Sequence, residues 1–262
     1  MSKGYSDNSI SSLKDEQTVR QRPAVIFGTN DVYGCAHGVF EIIANSVDEV
    51  REGYGDQIEI EVKQDGTVRV KDNGRGVPMG WNESEQKYNW QLVYCTMYAS
   101  GKYDSENYAI ALGLNGLGAT ATQYASEFMK VVSVRDGKKY TMNFKEGKPV
   151  GSLLVEPFPS TQTGTDITFK PDKKVFTDIN VPPEYYVDKL RRTAMLHPKL
   201  KIELRIEGKN DITLYYPEGI KGFLNIVCEK QMINSPIYFS GEDNGTDIDE
   251  GSADDDDYYK VN

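Results

Sequence analysis

The sequence predicts an α+β fold: a two-layer α/β sandwich in which a mixed, mostly antiparallel sheet carries helices on one face. Three observations predict it. Strand-like runs meet at tight turns, at Asp65-Gly66 and again at Asp136-Gly137, so hairpins outnumber βαβ units. Residues 36–51 place Val39, Ile43, Val47 and Val50 on one helical stripe. Hydrophobic residues are 38% of the 262, against 27% charged, which supplies a sizeable core for a globular chain. A doubly wound nucleotide fold fits less well, because it needs a helix between successive strands.

The elements follow in order. Residues 1–14 are polar and Ser-rich and read as an N-terminal arm. A short helix over 14–21 ends before Arg22-Pro23, because proline disfavours helix just ahead of it. The long helix covers 36–51, and strands 58–63 and 67–71 flank Asp65-Gly66. Residues 84–97 read as a further helix. From 98 to 118 Gly, Ser, Asn and Tyr break every period, which predicts a mobile segment. A helix over 119–125 leads to strands 130–135 and 139–144, and strands 152–156 and 165–170 extend the sheet. A helix at 184–195, a hairpin over 202–216 and a helix at 219–228 close a main domain of 15–238. Residues 239–262 form an acidic linker or tail, with Asp254-Asp255-Asp256-Asp257 as a solvated charge run.

Charge and cysteine usage exclude some functions. A net charge of −10 lacks the basic face of a nucleic-acid-binding domain, so any grip on DNA is expected from other domains. Cys35, Cys95 and Cys228 are odd in number and have no CxxC spacing, which suggests reduced thiols in a cytoplasmic protein. No apolar run approaches membrane-spanning length, and no partner membrane is expected.

The long helix carries the first candidate chemistry. With Val39 at 0°, Glu41, Asn45, Asp48 and Glu49 fall at about 200°, 240°, 180° and 280°, a row of oxygen ligands opposite the apolar stripe. Alone, such a face is usually the solvated side of an amphipathic helix. Asn45 argues otherwise, because asparagine is a poor mid-helix residue and its amide oxygen is a hard, neutral ligand suited to Mg²⁺ beside phosphates. Glu41 lies one turn earlier, placed to activate a water. His37, four residues before Glu41, either hydrogen-bonds it or is an ordinary first-turn residue.

Two glycine segments follow. In Asp72-Asn73-Gly74-Arg75-Gly76-Val77-Pro78 a strand runs into an acid and a Gly-x-Gly turn. Asp72 could accept from an exocyclic amine such as that of adenine, or simply end a strand, and Arg75 could pair with Glu49 or Asp48. Gly113-Leu114-Asn115-Gly116-Leu117-Gly118 opens the helix at Ala119, where backbone N–H groups suit phosphates. Its spacing fits neither the Rossmann nor the P-loop pattern. Lys102 could reach phosphates or be a solvated loop lysine, and Thr165 could touch a ligand or be a plain strand residue.

In this order the pieces resemble the GHKL ATPase family of gyrases, heat-shock chaperones, histidine kinases and MutL proteins, whose fold is the Bergerat ATP-binding fold. They are Glu41-x-x-x-Asn45, Asp72-x-Gly74-x-Gly76, a lid about 98–118, and 113–118. Within the family, 40–49, 72–78, 101–104, Tyr108, Thr163-Gly164-Thr165 and 215–220 are most similar to the B subunits of bacterial type II topoisomerases, gyrase or topoisomerase IV. The resemblance implies Glu41 as general base, Asn45 as Mg²⁺ ligand, and Asp72 with Gly76 and Thr165 reading adenine. It implies Gly113 to Ala119 around the phosphates, Lys102 and Tyr108 in the closing lid, and Tyr5 on an arm that crosses to the other protomer. The same pocket takes ATP-competitive inhibitors in the family, with Arg75, Pro78 and Arg135 at its rim; Arg135 is otherwise a strand-end residue beside Asp136-Gly137.

The implied partners are ATP, a second copy in a homodimer, the topoisomerase A subunit, and DNA through domains outside this chain. Asn115 stands where relatives have His, and 24–27 departs from their Gly-Met-Tyr-Ile. The chain stops soon after Phe239, before the transducer domain whose lysine meets the terminal phosphate in relatives. A fragment that binds ATP but turns over and dimerises weakly is expected. Another GHKL branch, or a nucleotide-binding module without hydrolysis, are the competing readings.

Overall fold

The computed structural model describes residues 13–99 and 116–224, together with the backbone of 225–228, 243–247 and 257–261. Tyr5, Lys102, Tyr108, Gly113, Leu114 and Asn115, most of the arm and most of the lid lie outside the described residues.

Eight strands form one sheet: β1 (Gln57–Val62), β2 (Val68–Asp72), β5 (Ser126–Arg135), β6 (Lys138–Lys145), β7 (Lys148–Pro157), β8 (Gly164–Pro171), β9 (Lys201–Ile206) and β10 (Ile212–Tyr215). Their order is β10-β9-β1-β2-β8-β5-β6-β7. Only β1 and β9 run parallel, so the sheet is mixed and mostly antiparallel. The β5–β6 turn sets Asp136 and Gly137 at φ 53° and 70°, as a two-residue hairpin requires. Glu146 and Gly147 at φ 47° and 84° repeat the device between β6 and β7.

Alternation along the strands separates the two faces. Ile58, Ile60, Val68, Val70, Met129, Val131, Ile167 and Phe169 point into the core, beneath Val39, Ile43 and Val47 of the helix α3 (Val32–Arg51). The opposite face carries ion pairs such as Glu59–Lys71 and Glu61–Arg69. Helix α6 (Pro183–Leu196) packs Tyr185 and Tyr186 on Phe40, which covers the back of α3.

Several elements differ from the sequence reading. Helix α3 begins at Val32, because the Asp31 carboxylate accepts from Tyr33 N–H and Gly34 N–H and caps it there. Helix α1 (Asp15–Gln21) does end before Arg22-Pro23, yet Pro23 then opens α2 (Pro23–Phe27), a position where its missing N–H is harmless. The helix read over 84–97 shrinks to α4 (Asn89–Cys95). Ahead of it, β3 (Trp81–Asn82) and β4 (Lys87–Tyr88) pair as a small hairpin, whose turn Asn82 holds by accepting from Ser84 N–H and Glu85 N–H. In the acidic tail, β11 (Asp243–Asp247) and β12 (Asp257–Val261) pair antiparallel.

Asp48 is the clearest correction on α3. It is only 1% exposed, and it lies 3.8 Å from Arg51. The wheel could not register this, because α3 is covered on two sides. Beside it, burial and then the Arg51 charge push His197 below the usual imidazole value, against the pull of Asp48.

A buried ion pair anchors α1. Arg20 bonds Asp172 and also donates to the Tyr124 carbonyl at 2.8 Å. Asp172 is 3% exposed, so Asp172→Ala leaves a desolvated guanidinium without its carboxylate. Urea denaturation is expected to show a loss of about 3 kcal/mol. An unchanged midpoint would mean that Arg20 finds solvent instead.

Candidate functional site

The site lies along α3 and reaches the ends of β2, β5 and β8. Near its start, His37 Nδ1 is 3.2 Å from the Phe27 carbonyl and Nε2 is 3.2 Å from Glu41 Oε1. A carbonyl only accepts, so Nδ1 is the donor towards Phe27, and Nε2 is the ring atom that faces the Glu41 carboxylate. The ring's orientation is thereby fixed from behind.

Glu41 also meets the second glycine segment. Helix α5 (Gly118–Tyr124) opens at Gly118, and a Cβ there would collide with Glu41 Oε2. Thr122 donates to the Gly38 carbonyl at 3.0 Å, which locks α5 onto α3. The carboxylate and the first turn of α5 are thus adjacent, although Glu41 and Gly118 are far apart in sequence.

One and two turns further on, Asn45 is half-buried and Glu49 grips the acid-glycine turn. Arg75 donates to Glu49 through Nε at 3.0 Å and Nη2 at 2.8 Å, and its backbone N–H adds a third bond at 3.0 Å. The Arg75 guanidinium also stacks 3.8 Å over the Tyr54 ring. Of the two partners the sequence offered Arg75, the fork selects Glu49.

Asp72 is buried at 8% exposure. Its Oδ1 accepts from Gly74 N–H at 3.0 Å and Thr165 N–H at 3.1 Å, and its Oδ2 accepts from the Ser46 hydroxyl at 2.8 Å. Burial pushes its carboxyl above the usual range; Ser46, Gly74 and Thr165 pull back, and the Glu49 charge adds a smaller push upward. An ionised carboxylate has about four acceptor positions. Among the described residues three are taken, and the fourth suits a single N–H donor.

Side chains of β5 and β8 hold the turn itself. Thr163 Oγ1 donates to Gly74 O at 2.6 Å, Arg135 Nη1 to Gly76 O at 3.0 Å, and Ser133 Oγ to Val77 O at 2.7 Å. Val77 N–H donates to Thr165 Oγ1 at 3.2 Å. Gly76 sits at φ 77°, and a Cβ there would come 2.5 Å from the Val134 carbonyl, so only glycine fits.

The structure therefore joins Glu41 with His37 and Gly118, and joins Asp72 with Gly76, Thr165, Arg75 and Arg135. Pro78 continues the same turn, Ala119 follows Gly118 in α5, and Gly116 and Leu117 immediately precede it. The sequence singles out neither Ser46 nor Ser133 for this site, and Thr163 only as part of Thr163-Gly164-Thr165. Ser46 left one signal: at about 340° it is a hydroxyl beside the apolar stripe.

A buried carboxylate with room for one donor suits an adenine, and a carboxylate against a glycine-opened helix suits water and phosphates, which together are the chemistry of an ATPase. Residues 30–175, more than half of the chain, match the model of the histidine kinase-, DNA gyrase B- and HSP90-like ATPases, and the chain belongs to that family. It is 38% identical over 252 residues to the B subunit of DNA topoisomerase 4 from Staphylococcus epidermidis, and equally so to that from Staphylococcus aureus. The alignment covers 94% of this chain and 38% of those relatives, so the chain spans well under half of their length. The 43K ATPase domain of Thermus thermophilus gyrase B, solved in complex with an aminocoumarin, superimposes with a TM-score of 0.71 at 27% identity. That match covers 90% of this chain and 60% of the other. Among the described residues no helix is long and apolar enough to cross a membrane.

Proposed function

We propose that this chain is the ATP-binding and hydrolysing domain from the B subunit of a bacterial type II DNA topoisomerase, in which Mg-ATP binding closes a dimer gate for DNA strand passage. The observation that carries the nucleotide reading is the one open acceptor position on Asp72, which matches the exocyclic N–H of adenine. The similarity to topoisomerase 4 B subunits along 94% of the chain supports the narrower reading.

In this reading residues 15–238 are the ATPase domain, and 239–262 lead towards a following domain. Asp72 accepts from the adenine amine, with Gly76 and Thr165 beside it. The segment 113–119 receives the phosphates on backbone N–H groups. Glu41, oriented by His37, takes the proton of the attacking water. Phosphoryl transfer depends chiefly on positioning and charge, which a fixed carboxylate at the start of α5 supplies. Asn45 is the residue that would offer a neutral oxygen to Mg²⁺. When bound, that ion offsets phosphate charge. Lys102 and Tyr108 belong to the lid, and Tyr5 to an arm that reaches a second copy. Arg75, Pro78 and Arg135 border the position that an ATP-competitive inhibitor would take. The A subunit and DNA are partners of the longer protein, and its place is the cytoplasm.

Calorimetry with a non-hydrolysable ATP analogue tests the proposal. Saturable heat is expected with Mg²⁺ and weaker binding with EDTA. Asn45→Ala is expected to bind the analogue with an affinity that Mg²⁺ no longer raises. No heat from the wild-type chain would refute the nucleotide reading; an intact Mg²⁺ response in Asn45→Ala would remove Asn45 from the metal. In the full-length protein, supercoiling and decatenation assays separate gyrase from topoisomerase IV activity, and neither activity would refute the topoisomerase reading.

A further inference from the structure

The bond between Ser46 and Asp72 is not required by packing. Ser46 lies on α3 among apolar neighbours and is 5% exposed, yet its hydroxyl spans to β2 and donates to Asp72 Oδ2 at 2.8 Å. Alanine would fit the same space and favour the helix. What the hydroxyl does is settle the acceptor arithmetic of Asp72. With Oδ1 saturated by two backbone N–H groups, Ser46 fills half of Oδ2 and leaves one acceptor position on the whole carboxylate.

We infer that Ser46 is a specificity-determining positioning residue: its hydroxyl fixes the Asp72 carboxylate as a single, oriented acceptor, and thereby sets the preference for a 6-aminopurine over a 6-oxopurine nucleotide. The inference rests on the reading of Asp72 as the adenine contact. A 6-amino group donates to that position. A 6-oxo group brings a second acceptor against it, and nothing on the carboxylate can answer. Remove the Ser46 hydroxyl and Oδ2 has two open positions. The carboxylate can then turn, and a water held on the spare position can donate to a 6-oxo group.

The other charged or titratable groups facing Asp72 do not supply this preference. Glu49 on α3 is occupied by the Arg75 fork. On α4, Tyr94 is buried, and burial followed by the Asp72 charge pushes its hydroxyl upward, so it stays neutral. From β8 and β5 the turn receives only neutral hydroxyls, apart from Arg135, which is spent on Gly76 O. Burial alone would drive Asp72 towards its protonated, donating form; the Ser46 bond is the largest of the contributions that oppose it.

The test compares ATP with inosine triphosphate, a 6-oxopurine, as ligands of the full 262-residue chain by calorimetry. Wild type, Ser46→Ala and Ser46→Thr are measured with Mg²⁺, and thermal melts check that each is folded. Wild type is expected to prefer ATP, Ser46→Ala to lose about tenfold of that preference, and Ser46→Thr to retain it because the hydroxyl remains. A merely structural role would weaken both nucleotides together and leave the ratio alone. An unchanged ratio in Ser46→Ala overturns this inference and leaves the ATP site standing, as does a Ser46→Thr variant that loses the preference equally. A wild type that binds neither nucleotide overturns the ATP reading and this inference with it.

Discussion

Glu41→Ala is expected to lower ATP turnover by about 10²–10⁴-fold while leaving the affinity for a non-hydrolysable analogue nearly unchanged. The split follows from where the side chain stands. Among the described residues it meets His37 at 3.2 Å and the opening residue of α5, the end that the proposal gives to the phosphates, while the place it gives to adenine lies beside Asp72, Ser46 and Thr165. The side chain is 33% exposed and lies outside the hydrophobic core, so its loss should cost little stability. A phosphate-release assay at saturating Mg-ATP reads turnover, and calorimetry reads affinity. The same pair of assays on a longer protein that includes this chain widens the measurable range. Turnover equal to wild type would remove Glu41 from the role of base; affinity lost in parallel with turnover would make it a ligand contact instead.

The sequence was informative where one residue type alone satisfies a local demand. The turn after β2 was legible because Gly-x-Gly behind an acid implies close backbone approach, and Gly76 does sit at positive φ against the Val134 carbonyl. The Asp136-Gly137 hairpin was legible for the same reason. The pairing of Glu49 with Arg75 was offered by charge and confirmed by the fork. Hidden features depend on register or on a second packed layer. Ser133 is unremarkable in sequence, and Thr163 stands out only within the Thr163-Gly164-Thr165 resemblance; both reach the Asp72 turn because β8 pairs between β2 and β5. Asp48 read as one of the oxygen ligands on the polar face because a helical projection assumes one buried side, whereas Asp48 is buried beside Arg51. The helix read at 84–97 starts only at Asn89 because Asn82 offers its side chain to two backbone N–H groups and stabilises a hairpin turn ahead of it. Even so, the parallel pairing of β1 with β9, about 140 residues apart, was anticipated in kind by a mixed sheet, though no local pattern could name the partners.

Asp72→Ala is expected to be damaging twice over, and the two losses can be separated. Truncation leaves Gly74 N–H, Thr165 N–H and the Ser46 hydroxyl without an acceptor in a buried place. Each such group costs about 1–3 kcal/mol unless water reaches it, so the melting temperature should fall well below wild type. ATP binding should disappear as well, but in a destabilised protein that loss alone would prove little. Asp72→Asn resolves the ambiguity. Its remaining oxygen can keep the two backbone donors, and its amide can donate to Ser46, whose hydroxyl accepts as readily as it donates. Stability should therefore stay near wild type. The position left for the base, however, now carries an N–H where the carboxylate offered a lone pair. Adenine's amine meets a donor, and ATP affinity is expected to fall about 100-fold in a folded protein. Calorimetry paired with a thermal melt distinguishes the variants. If Asp72→Asn binds ATP as wild type does, the carboxylate is only a scaffold for the turn, and the adenine contact must be sought elsewhere in the site.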